Sequence, residues 1–257
     1  LTFIKKSLEL DPDNSDYRYL NSYIKGMAVV RNLLNLDRPL NKKEVNEAHQ
    51  SMANAALLKL LEPEKSGPYI LKGQIYSALK ENERSLIELK KAISLEPNND
   101  FAHVRLALIY FNLNEIDKSL KELDIALKIN PDSKWVWLWK GIVIGESQKD
   151  WETANSNYKK ALEIDPRFDL AYYNLGWSFL KISPKDFVQA QNNFEKALKI
   201  NPNYKEALYG LAMVYGYQDR YEIAKLYLTK AKDLDNQFLT AWKWLGVVNS
   251  EMNNFNE

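Results

Sequence analysis

A proline recurs along this 257-residue chain at a nearly fixed interval, and that interval limits the possible folds more than any other feature. Pro63, Pro97 and Pro131 lie 34 residues apart, Pro166 follows after 35 and Pro202 after 36. Another 34 residues reach Asn236, in a segment Asp233-Leu234-Asp235-Asn236 that parallels Glu163-Ile164-Asp165-Pro166. The junctions share one pattern, an apolar residue, then an acid or Asn, then Pro or Asn: Leu95-Glu96-Pro97, Ile129-Asn130-Pro131, Ile200-Asn201-Pro202, Leu234-Asp235-Asn236. Proline cannot continue a helix and restricts the residue before it, so each junction predicts a helix end. Fixed periods of this length belong to stacked-repeat architectures.

Counting position 1 as the third residue after each junction Pro aligns the rest. Position 8 is Gly73, Ala107, Gly141, Gly176, Ala212 and Gly246. Position 20 is Ser85, Ser119, Ala154, Ala190 and Ala224, and position 27 is Ala92, Ala126, Ala161, Ala197 and Ala231. Large residues recur at position 11 (Tyr76, Tyr110, Ile144, Phe179, Tyr215) and position 24 (Leu89, Leu123, Tyr158, Phe194, Leu228). Small residues let two antiparallel helices approach, and the large ones fill the space beside them. The reading is a helix A over about positions 1–14 and a helix B over about 15–30, with the insertions near Lys149 and Ser183-Pro184 in the loop between them, where length change is tolerated.

This pattern resembles the tetratricopeptide repeat family, carried best by Tyr172, Leu175, Gly176, Phe179, Ala190, Phe194, Ala197 and Pro202. Trp242, Leu245 and Gly246 open a further match, in which Asn249 departs from the usual aromatic. The resemblance covers the chain from Lys65 onward and implies an all-α fold, a right-handed α-α superhelix (solenoid) of stacked helix pairs. Repeats are expected at 64–97, 98–131, 132–166, 167–202 and 203–236, with the first helix of a further, truncated one at 237–257. Residues 1–12 read as the last helix of an upstream repeat, with Ser7 in the small position. Residues 13–63 read as an atypical, elongated helix pair, one helix over 17–36 and another over 42–61 after a break at Arg38-Pro39. A chain that begins and stops inside repeats is expected to be a portion of a longer protein.

In such a stack helix A lines the concave side. At about 100° per residue, positions 4, 7, 8 and 11 meet helix B, and positions 2, 5, 9, 12 and 13 point into the groove. Those positions supply the candidate partner-binding residues: Phe101, Val104, Phe111, Trp135, Leu138, Tyr173, Trp177, Leu180, Tyr209, Met213 and Tyr217. So apolar a strip predicts a groove for a hydrophobic or amphipathic protein segment, because monomers rarely leave large apolar patches in water. Packing between adjacent A helices is the competing use of the same residues. Leu108, Ile142 and Leu170 are its foremost candidates. Family members that dock chaperones hold a C-terminal carboxylate with Lys at position 5 and Asn at position 9. Here those positions read Ile70/Gln74, Val104/Leu108, Leu138/Ile142, Tyr173/Trp177 and Tyr209/Met213, so a carboxylate clamp is not expected.

Composition removes other classes. Lys and Arg number 35 against 34 Asp and Glu, a net charge of +1 that gives no basic stripe for nucleic acid. No Cys is present, so neither disulfides nor thiolate chemistry arise. The longest apolar runs fall short of the roughly 18 residues of a membrane span. His49 and His103 share no metal-ligand spacing, and no phosphate loop, EF-hand or HExxH occurs, so no catalytic, cofactor or metal site is expected. Asp132 and Asp165 read as helix-start carboxylates. The expected role is a non-enzymatic scaffold or adaptor in assembly of a larger complex. The alternatives are the recognition arm of a longer enzyme, such as a transferase, or a self-assembling protein.

Overall fold

The computed structural model describes residues 40–61, 64–182 and 185–254. The expectations for residues 1–39 lie outside that range. Among the described residues there are only helices and their connections, and they divide at Pro131/Asp132 into two compact units.

The first unit holds α1 (Lys42–Leu61), α2 (Gly67–Ala78), α3 (Asn82–Leu95), α4 (Asp100–Asn112) and α5 (Ile116–Ile129). The 20-residue α1 is longer than the other helices. It starts with a reciprocal capping box, in which the Glu44 amide donates to Asn41 Oδ1 (3.0 Å) and the Asn41 amide to Glu44 Oε2 (2.8 Å). Its buried Ala48, Ser51 and Ala55 form one stripe, and the alanines share a cluster with Leu71 and Ile75 of α2. The second unit holds α6 (Lys134–Gln148), α7 (Trp151–Ile164), α8 (Asp169–Lys181), α9 (Phe187–Ile200), α10 (Lys205–Gly216), α11 (Tyr221–Leu234) and α12 (Leu239–Asn254). Within each unit the A and B helices of a repeat pack as a hairpin, and each B helix packs on the next A helix, the last of these being α12.

Close approach within the hairpins comes from the small positions. All ten residues at positions 20 and 27, from Ser85 to Ala231, have no exposed surface. At position 8 a Cβ added to Gly176 would stand 2.7 Å from the Phe194 ring, and one on Gly141 2.5 Å from that of Tyr158. Phe194 is also capped from its other side by Gly210, so one fully buried ring lies between two glycines of successive A helices. Ser85 at position 20 donates from Oγ to the Gly73 carbonyl (2.7 Å). The equivalent Ser119 hydroxyl is buried without a partner.

The turns between A and B use left-handed residues that are not glycine: Lys80, Asn114, Lys149 and Asp219, with φ of 57–62°. Three of them close a Schellman motif. The Glu81, Glu115 and Arg220 amides reach back to the carbonyls of Tyr76, Tyr110 and Tyr215 at 2.8, 2.8 and 3.0 Å.

A second device joins the start of each A helix to the end of its B helix. Position 1 meets position 31 in all five hairpins: the Ser66 amide donates to Glu96 (2.9 Å), Asn130 to Asp100 (2.8 Å), Lys134 pairs with Asp165, Asn201 donates to Asp169 (3.2 Å), and Lys205 pairs with Asp235 (2.5 Å). Asp165 thus serves differently from the helix-start role expected of it. One oxygen meets Lys134, and the other accepts from the Arg167 amide (2.9 Å) in the turn before α8. Helix-start capping falls instead to Asn99, Asp150 and Asp186, whose side chains accept from the third residue on. His103 is buried between α4 and α5, with Nδ1 2.6 Å from Glu122 Oε2 and Nε2 3.0 Å from the Pro97 carbonyl.

Candidate functional site

In the second unit the A helices α6, α8 and α10 touch in sequence, so their outward positions form a shared A-helix face. A chain of rings runs across it. Tyr204 lies 5.1 Å from Tyr173, Tyr173 6.4 Å from Trp177, Trp177 5.7 Å from Tyr209, and Tyr209 6.0 Å from Phe238. Phe194 supports both Tyr173 and Trp177 from below, at 6.1 and 5.8 Å. Most of these contacts are edge-on or tilted, the arrangement aromatic quadrupoles favour. Trp135 makes a separate edge contact with Phe168 at 4.8 Å.

Three of these rings were not among the residues singled out from sequence. Phe168, Tyr204 and Phe238 each immediately precede position 1 of their repeat. Phe168 and Tyr204 occupy the N-cap positions of α8 and α10 and provide no side-chain cap, unlike Asn99 at the corresponding place before α4. Packing against Trp135, Tyr173 and Tyr209 replaces capping there. An aromatic in the same register three repeats running was the available signal. Lys134 and Lys205 lie over the Phe168 and Phe238 rings at 4.7 and 5.0 Å, so the helix-start lysines that pair with Asp165 and Asp235 also roof these aromatics.

The sequence-derived residues separate into three groups by exposure. Trp135 and Tyr217 are 46% and 44% exposed. Tyr173, Trp177 and Tyr209 are half-buried. Leu138, Leu180 and Met213 are buried in the packing of the unit. In the first unit Val104 is buried, Phe101 and Phe111 are half-buried, and the Arg105 guanidinium lies 4.5 Å over the Phe101 ring.

The face is polar only at its margins. Glu146 pairs with Lys181 at 2.5 Å, and Glu206 is within 3.8 Å of Lys205. Burial pushes the Tyr173 and Tyr204 phenols well above the ordinary tyrosine range, with a further contribution from the Glu206 carboxylate. Burial likewise pushes Tyr209 up to about 12. These phenols are neutral hydrogen-bonding groups at physiological pH. The Trp177 indole N–H is buried beside the Tyr173 hydroxyl, and their interaction offsets part of that phenol's shift. Among the described residues no cluster of His, Asp and Glu has the arrangement of a metal site, and no helix is long and apolar enough to cross a membrane.

Family profiles described as tetratricopeptide repeat match residues 67–99, 102–133 and 193–225, and one described as TPR repeat matches 147–183. The chain belongs to the tetratricopeptide repeat family. No curated protein sequence matches it. Solved tetratricopeptide structures resemble it in fold. Cut9, crystallised with Hcn1 as an APC/C hetero-tetramer, is 16% identical with a TM-score of 0.68 over 96% of this chain and 51% of that one. Yeast Tom70 gives 16% and 0.68 over 98% and 58%. A tetratricopeptide repeat protein from Parabacteroides merdae gives 15% and 0.69 over 95% and 89%. This chain therefore spans well under two thirds of the Cut9 and Tom70 chains. At such identities the likeness is one of fold, and the fold is that of a scaffold suited to protein–protein interaction.

Proposed function

We propose that this tetratricopeptide chain is a non-catalytic adaptor whose second unit binds an apolar or amphipathic segment of a protein partner on the A-helix face, in the assembly of a larger complex. The observation that carries this reading is the run of half-buried rings Tyr173, Trp177 and Tyr209, together with the more exposed Trp135 and Tyr217. Aromatic residues on a stiff helical scaffold lose little side-chain entropy on binding, and Trp and Tyr dominate interface hot spots. Leu138, Leu180 and Met213 support that surface from within, since their side chains are already covered. In the first unit, Phe101 and Phe111 extend the same chemistry on α4, over the buried Val104.

The test is capture from source lysate by the unmodified chain and by a Trp135→Ala/Trp177→Ala variant of matched helicity. A partner retained by the first and lost by the second supports the face, with each true anchor contributing about 2 kcal/mol or more. A partner captured equally by both transfers binding elsewhere on the molecule and refutes the reading.

A further inference from the structure

We draw no further inference here: the strongest candidate, the cavity between α10, α11 and α12 beside Gly216, is lined by Glu251 while Lys185 lies over the lining Tyr217 ring, and nothing in the structure shows what occupies it.

Discussion

Two serines at one repeat position show how much a single atom's surroundings decide. Ser85 and Ser119 both sit fully buried at position 20, yet only Ser85 has an acceptor, the Gly73 carbonyl. A buried hydroxyl without a partner bears its desolvation cost in full, whereas a bonded one returns about 0.5–1.5 kcal/mol. Ser119→Ala should therefore stabilise the chain by about 1 kcal/mol, and Ser85→Ala should destabilise it by a similar amount. Urea denaturation of the two variants tests the pair, and a shift of the same sign in both would contradict it. Nothing in the sequence separates these serines, because the difference lies in whether the opposing carbonyl is within reach. The left-handed turn residues were equally hidden. Lys80, Asn114 and Asp219 hold positions that usually advertise themselves by glycine, and here hydrogen bonds from the following amide hold the geometry instead.

Helix pairing was far more legible than these details, since small and large residues alternate at fixed positions within one sequence and each small position faces a large one. Gly176 against Phe194 is the sharpest case. A methyl group there has nowhere to go, with the ring held from its other side by Gly210. Gly176→Ala is expected to cost about 1–3 kcal/mol through overpacking, against the helix propensity it gains. Gly246→Ala, at the same repeat position in α12, meets open space and should be neutral or stabilising by up to about 1 kcal/mol. Thermal melts of the two variants check this, and equal effects would remove close packing as the reason for glycine at position 8. The pairing of positions 1 and 31 was harder to see. Its chemistry changes from repeat to repeat, so it shows no fixed residue type to a reader looking for periodic identity.

For the molecule as a whole, the periodicity of one helix shows which way a side chain points but not whether a neighbouring helix covers it. That is why Trp135 and Leu138, both in outward positions of α6, end respectively exposed and buried. The second unit also concentrates the tyrosines that resist ionisation: Tyr158, Tyr173, Tyr204 and Tyr209, all raised chiefly by burial. A phenol whose folded pKa exceeds its unfolded value of about 10 contributes stability that is intact below pH 10 and is lost as the pH climbs through the folded value, which for Tyr209 is about 12. The second unit should therefore unfold before the first as the pH is raised from about 10 towards 12. Tyrosinate absorbance from these rings should appear together with loss of helix, and ionisation complete before helix is lost would count against it. The paired helix ends carry one more consequence. A chain of near-identical hairpins risks joining the first helix of one repeat to the second of another, a known hazard of repeat proteins. In the second unit the end pairs alternate, Lys134 with Asp165, Asp169 with Asn201, Lys205 with Asp235. A slip by one repeat would set Asp169 against Asp165 or Asp235, carboxylate facing carboxylate, so the alternation works as an address that tells each helix which partner is its own.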